Sequence, residues 1–420
     1  MIRRKSNFTI LALGGRAWGR AILAVEIAEE LVQQGNRAHI ITDFTASPLF
    51  GKRGVTYEIV PRRMGPDLTL WFRERIGAIH TDALVLCDYE SVALFLSTLG
   101  SSVANLTTLN VPVLGLDTWI SKETGNVIDV FGDTKISLEE WHPLIERLAP
   151  VPLARLAYSP GFCRGFTDTP RSLSTDRTLC REAFGMDRNA AVILMATAPW
   201  QHAPFPHRWA QFCQTLVPDI IAGYLAQIPG VLLVHVGPAS LPFERNLGSR
   251  YAHLGTLDRA RFLGLLSSSD IFLSFTPASM TQGAALSLGV PVLSVQHSGN
   301  VLWKEIYSRE ELSKAYPSLP LTEYDSAQLY PFSVWPLGYS AFLAPLLGRN
   351  ELTESVAVVD VMKGCDFRTS VRELAFEGAT RDRALARQNK YAERVRLLPS
   401  PGIAITSWVD TQMQSSSLMG

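Results

Sequence analysis

This sequence has no charge of either sign to spare: 39 Lys and Arg balance 39 Asp and Glu over 420 residues. The missing basic excess removes the electrostatic footprint of a nucleic-acid binder. Long hydrophobic runs are also missing. None reaches the roughly 18 residues that a membrane-spanning helix needs, so no transmembrane segment is expected. The opening Met1-Ile-Arg-Arg-Lys leads into only a short apolar stretch before Gly14, and no signal peptide is expected there. Cysteine is sparse and odd in number. Cys87, Cys163, Cys180, Cys213 and Cys365 show no CxxC spacing, which excludes a disulfide scaffold and suits reduced packing thiols of the cytoplasm. The eight histidines form no HxxxH or HExxH pattern, so no metal site is expected.

What remains is a chain rich in apolar residues, 47% hydrophobic and 19% charged. That supports two α/β domains of roughly 150–200 residues with real cores. Short apolar runs alternate with amphipathic stretches twice over, the pattern of parallel sheets covered by helices. In the first half, strands are predicted near 8–13, 38–42, 56–60, 83–87 and 112–116, with helices near 21–34, 67–77 and 90–99. Residues 117–148 are mixed and polar and read as a lid or partner surface. The Pro-, Gly- and Ser-rich stretch 158–180 reads as linker. In the second half, strands are predicted at 191–196, 231–236, 251–254, 271–275 and 290–295. Helices are predicted at 209–226, 259–267, 282–288, 355–362, 368–376 and 380–397. The implied domains are 1–160, a linker region 161–188, a second domain 189–379, a helix 380–403 and a tail 404–420 with a frayed, Ser/Gln-rich end.

Two segments carry the chemistry. Ser268–Val295 reads strand, small hydroxyl-rich turn, short helix stopped by Gly289, strand. A small-residue turn entering a helix gathers backbone N–H groups and the positive end of the helix dipole at one point, which suits a phosphate. In an open parallel sheet that point lies at the carboxyl ends of the strands, where ligands bind. The second segment, Phe8–Gly35, reads strand, Gly-rich loop, helix. Its loop Gly14-Gly15-Arg16-Ala17-Trp18-Gly19-Arg20 lacks the GxGxxG spacing of a dinucleotide fingerprint.

Both segments resemble GT-B glycosyltransferases, and Ser268–Val295 most resembles the branch containing the N-acetylglucosaminyltransferase of peptidoglycan synthesis. Asp270, Ser279, Thr281, Ala285, Gly289 and Pro291 match the donor-binding pattern in order. Gly14, Gly15, Gly19, Ala24, Ala28, Glu29, Glu30, Leu31 and Gly35 match the N-terminal pattern. The glycine that opens the family turn is Ala278 here, and the family's ribose-binding glutamate falls on Ala284. The catalytic histidine of many inverting members aligns with Arg20, whose guanidinium stays charged and cannot act as a general base. The resemblance covers most of the chain, with 120–190 and 300–360 matching weakly. It implies two Rossmann-like parallel-sheet domains facing a central cleft, the last helices crossing back onto the first domain.

Candidate residues follow from the strand ends and the resemblance. After the 191–196 strand, Thr197-Ala-Pro-Trp-Gln-His202 places Trp200 to stack on a base and His202 to contact phosphate, with Thr197 and Gln201 beside them. The resemblance implies backbone contacts to a nucleobase at Gly255 and to sugar hydroxyls near His297. It implies phosphate contacts at Pro277, Ala278, Ser279, Thr281 and Gln282. Asp88 and Asp117 each end a strand of the first half and are the candidate bases for an acceptor hydroxyl. Thr118 and Trp119 follow Asp117. Arg16 and Arg20 are candidates to neutralise a leaving diphosphate, and Gly14, Gly15 and Gly19 to allow close backbone approach.

The expected function is metal-independent sugar transfer in the cytoplasm. The donor would be a nucleotide sugar, UDP- or dTDP-linked, with no other cofactor. The acceptor would be a small molecule or peptide, with no nucleic-acid partner and a homodimer left open. Three alternatives stand beside it: a nucleotide-sugar epimerase, a non-catalytic binding relative, and a relative with non-sugar transfer chemistry.

Overall fold

The structure, a computed structural model, describes residues 5–14, 18–43, 50, 55–61, 67–118, 127–130, 134–137, 140–151, 161–163, 181–182, 185–186, 189–202, 208–275, 279–296, 301–302, 308–315, 328–329, 351–361 and 363–418. The chain divides into two compact units. The first holds a seven-stranded sheet and the C-terminal segment Glu393–Gly420; the second holds a six-stranded sheet and Glu351–Ala392.

The strands of the first unit are β1 (Asn7–Ala12), β2 (Arg37–Thr42), β3 (Tyr57–Ile59), β4 (Ala83–Leu86), β5 (Val113–Leu116), a hairpin of β6 (Val127–Val130) and β7 (Thr134–Ser137), β8 (Glu146–Val151) and β9 (Gly161–Cys163). The main sheet runs β3-β2-β1-β4-β5-β8-β9, with every pairing parallel. Successive residues of β1 enter different cores, as strand geometry requires. Phe8, Ile10 and Ala12 pack with α1 (Trp18–Gln33) and the last helix. Leu11 and Leu13 pack with α2 (Leu68–Ile79) and α3 (Tyr89–Thr98). Helices on both faces explain why these strands are continuous apolar runs.

The second unit holds β10 (Ala191–Ala196), β11 (Val231–Val236), β12 (Tyr251–His253), β13 (Ile271–Ser274), β14 (Val292–Gln296), a two-strand hairpin of β15 (Val301–Leu302) and β16 (Gln328–Leu329), and β17 (Ala357–Asp360). Its main sheet is β12-β11-β10-β13-β14-β17, again parallel throughout. Ile193, Met195, Leu233, Leu273 and Val295 share one core with α4 (Arg208–Ala226) and, further along the chain, the helix Gly364–Phe376. The helices between β12 and β14 are α5 (Arg259–Ser267) and α6 (Met280–Ser287). After β17 come α7 (Gly364–Phe376), α8 (Gly378–Arg396) and α9 (Pro401–Leu418).

Four expectations are corrected. Residues 146–148, the end of the stretch 117–148 read as lid or partner surface, begin β8. The first residues of the linker 161–188 form β9, buried at Phe162 and Cys163. The helix predicted over 355–362 is strand β17. Ala357–Asp360 supplies only one helical turn, but its register with β14 completes the sheet edge. The tail 404–420 is helical through Leu418. Ile405 and Val409 lie one turn apart and are buried with α1, and the Glu30 carboxylate accepts the Gly402 N–H at 2.8 Å. That contact satisfies one of the free N–H groups at the start of α9. Among the described residues no helix is long and apolar enough to cross a membrane.

Candidate functional site

In each sheet the strand order reverses at one place, between β1 and β4 in the first and between β10 and β13 in the second. Loops leaving the carboxyl ends of those strands diverge and leave room for a ligand. Gly14, Arg20 and Asp88 meet at the first reversal; Thr197, Ser279 and Gln282 lie on the loops of the second.

In the first unit, Gly14 follows β1 with φ 81°, and a Cβ there would lie 3.0 Å from the Ser91 carbonyl oxygen. Only glycine suits both the angle and the space. Arg20 donates from Nη1 to the Gly14 carbonyl at 3.0 Å and pairs through Nε with Asp88. Asp88 is buried at the end of β4 with φ 76°, an uncommon conformation for a residue with a side chain. Ser91 Oγ donates to its Oδ2 at 2.8 Å, and its Oδ1 makes no hydrogen bond of good geometry among the described residues. Asp117, wholly buried after β5, pairs with Arg147 at 3.4 Å. The Arg147 guanidinium lies 4.2 Å above Trp141, which stacks on Tyr89 at 4.0 Å. Gly115 leaves room for that ring, since a Cβ would come within 2.7 Å of it.

Glu90 was not among the sequence candidates, and it is the outlier of this cluster. It is 3% exposed, and neither carboxyl oxygen makes a hydrogen bond of good geometry. Burial, then the charges of Asp88 and Asp117, push its pKa well above the usual carboxylate range, and a shared proton toward Asp88 acts in the same direction. Two arginines thus face three acids, and Glu90 is the acid whose ionised form is most disfavoured. The signal available in the sequence was the spacing Asp88-x-Glu90 at the start of a helix. Gly19 is partly exposed at the start of α1. Gly15, Arg16 and Trp119 lie outside the described residues.

In the second unit, Ser279 caps α6. Its Oγ accepts the Gln282 N–H at 3.1 Å, while Gln282 Oε1 accepts the Ser279 N–H at 3.0 Å. Gln282 is fully buried and donates to Ser274 Oγ at 2.9 Å, tying the helix start to the end of β13. Thr281 is half-buried in the first turn. Thr197, Gln201 and His202 lie together after β10: Gln201 Oε1 accepts the Ala198 N–H at 2.7 Å, and Thr197 Oγ1 lies 2.7 Å from His202 Nε2. The loop at Gly255 joins them through Gly237 N–H, donated to the Gly255 carbonyl at 3.1 Å. The backbone of Trp200 lies in the turn Pro199–His202. Pro277, Ala278 and His297 lie outside the described residues. Asp270, part of the matching pattern, sits at the amino end of β13, where it accepts Val192 N–H at 2.7 Å and pairs with Arg181 and Arg381.

Three residues beside Thr197 escaped the sequence reading: His235, Tyr251 and His253. His235 is wholly buried in β11, with Nε2 2.7 Å from Thr197 Oγ1 and Nδ1 3.0 Å from the Tyr251 hydroxyl. Burial, with the nearby His253 and His202, lowers its pKa to about 3, so it is neutral at physiological pH. Burial and His253 also lower His202. Among the described residues no three His, Cys, Asp or Glu side chains are grouped to hold a metal ion.

A family model described as "Family of unknown function (DUF6365)" matches residues 27–411. The chain belongs to this family. A search of curated proteins finds no match for this DUF6365 chain. Solved structures do match. Anabaena HepE in complex with UDP is 13% identical with a TM-score of 0.51, covering 99% of this chain and 100% of that one. Sucrose-phosphate synthase from Thermosynechococcus elongatus is 13% identical with a TM-score of 0.53, over 99% and 100%. The spinosyn forosaminyltransferase SpnP is 13% identical with a TM-score of 0.53, over 98% and 99%. The fold of this DUF6365 chain is therefore that of the GT-B glycosyltransferases: two parallel-sheet domains covered by helices.

Proposed function

We propose that this chain is a glycosyltransferase that moves a sugar from a UDP- or dTDP-linked donor to a small-molecule or peptide acceptor, in the cytoplasm and without a metal. The observation that carries the reading is the capped start of α6 beside the Thr197–His202 turn, at the strand reversal of the second sheet. Backbone N–H groups and the dipole of α6 supply stabilisation for a departing diphosphate in place of a cation. HepE, of similar fold, was crystallised with UDP. The narrower likeness to the peptidoglycan N-acetylglucosaminyltransferase branch rests on the matching residues between Asp270 and Pro291 alone. In the first unit, Asp117 or Asp88 takes the acceptor's proton.

Calorimetry with UDP and dTDP tests the donor site. The wild-type chain should bind one of them, and Thr281→Glu, which places a negative charge at the start of α6, should abolish binding. No binding of any nucleoside diphosphate to the wild type refutes the assignment.

One observation favours a second reading, a binding protein without turnover. Arg20 stands where many relatives carry the catalytic histidine, and it is tied to Asp88 and the Gly14 carbonyl. Donor binding without transfer or hydrolysis across a panel of nucleotide sugars would select it.

A further inference from the structure

The hydrogen bonds around Thr197 form one chain, and either direction along it leaves a single proton at one end without a partner among the described residues. The Tyr251 oxygen accepts the Leu241 N–H at 3.2 Å, and the hydroxyl lies 3.0 Å from His235 Nδ1. With one lone pair of that oxygen taken by Leu241, we assign its proton to Nδ1. Neutral His235 then carries its own proton on Nε2 and donates it to Thr197 Oγ1, 2.7 Å away. Thr197 in turn donates to His202 Nε2 at 2.7 Å. His202 is left with its proton on Nδ1, which has no acceptor among the described residues. Run in reverse, the chain would use both lone pairs of the Tyr251 oxygen and leave the spare proton on Tyr251 rather than on His202, in the loop after β10.

The surroundings hold this arrangement in place. A Cβ at Gly237 would lie 2.1 Å from Thr197 Oγ1 and 2.9 Å from His235 Nε2, so the contact exists because position 237 is glycine. His253 Nε2 lies 2.9 Å from the Gly237 carbonyl and donates to it, and its ring is 5.1 Å from that of His235. Among the described residues the ionisable groups facing the chain are the three histidines, Tyr251 and Glu244; burial first, and the Glu244 charge after it, raise the pKa of Tyr251. Burial and the neighbouring imidazoles disfavour charge on His235 and on His202.

We infer that Tyr251, His235 and Thr197 are positioning residues that hold His202 as an uncharged Nδ1–H donor for an anionic oxygen of the bound ligand. On the glycosyltransferase reading above, that oxygen belongs to the donor's diphosphate. Recognition by a neutral donor has a consequence in pH. UDP affinity should stay level as pH rises through the ordinary range of histidine titration, where a cationic histidine would lose its hold.

The test uses the full chain with ¹⁵N-labelled histidine and long-range ¹H–¹⁵N correlation at pH 7. His202 should appear with its proton on Nδ1 and His235 with its proton on Nε2. Thr197→Val should release His202 into a mixture of tautomers and weaken UDP binding about tenfold, the loss of one hydrogen bond to a charged group. Thr197→Ser should restore both readouts. Tyr251→Phe is the second variant if Thr197→Val does not fold, and it should move the His235 proton toward Nδ1. A His202 proton on Nε2, a charged His202 at pH 7, or unchanged tautomers in both variants overturns the relay. With the tautomers as expected, equal UDP affinity in Thr197→Val and wild type overturns the role of His202 in binding. If the wild type binds no UDP, the diphosphate assignment falls with the glycosyltransferase reading, while the tautomers still decide the relay.

Discussion

Replacing Glu90 with glutamine tests whether the first unit keeps a buried acid protonated. Both carboxyl oxygens are shielded from water and lack well-formed hydrogen bonds, and Asp88 and Asp117 face them. The folded-state pKa is raised, so the sign runs opposite to that of an ion-paired carboxylate. Below the unfolded value, about 4.3, both states hold the proton and Glu90 costs nothing in pH-linked terms. Above it the unfolded chain releases a proton that the folded chain keeps. Stability then falls by up to about 1.4 kcal/mol per pH unit until the folded group itself ionises. Glutamine matches the shape, donates from its amide and does not titrate. The stability gap between Glu90→Gln and wild type should therefore be small at pH 4 and widen in favour of the variant toward pH 7. For a unit of this size the widening corresponds to roughly 3–6 °C in Tm per pH unit at first. Scanning calorimetry of the full chain at half-unit steps reads it in the transition of the first unit. Parallel profiles, or a variant less stable than wild type at pH 7, would show that Glu90 is ionised in the fold and refute the reasoning.

Gly237→Ala should leave the sheet intact but push Thr197 away from His235, at a cost of about 1–3 kcal/mol and with loss of the His235 tautomer signal; an unchanged spectrum would mean the contact is not built as described. Glu30→Gln should weaken the start of α9 by about 1 kcal/mol, seen as faster hydrogen exchange at Gly402 and the following amides. Asp117→Asn should lower turnover by ~10²–10⁴-fold with donor affinity kept if Asp117 is the base. The same pattern for Asp88→Asn instead would assign the base to Asp88, and full activity in both would exclude a proton acceptor at either position.

The alternation of short apolar runs with amphipathic stretches was enough to specify two parallel sheets. Residues such as Ile10 and Leu11 must both be buried, and only a strand with helices on each face does that. The turn into α6 was likewise legible as small residues entering a helix, but the capping box of Ser279 and Gln282 was not read from it. Strand β17 and helix α9 were not legible. Ala357–Asp360 is too short for its period to choose between helix and strand, and its pairing with β14 made the choice. Residues 401–418 look polar until Ile405, Trp408 and Val409 are set against α1, where Glu30, some 370 residues earlier, caps the helix. The site divides in the same way. Asp88, Asp117, Thr197 and His202 could be named because each follows a strand, and strand ends are visible in sequence. The protonation of Glu90 and the direction of the Tyr251–His235–Thr197–His202 chain depend on burial and on partners tens of residues away. Local sequence carries neither quantity, and only the packed sheets set them.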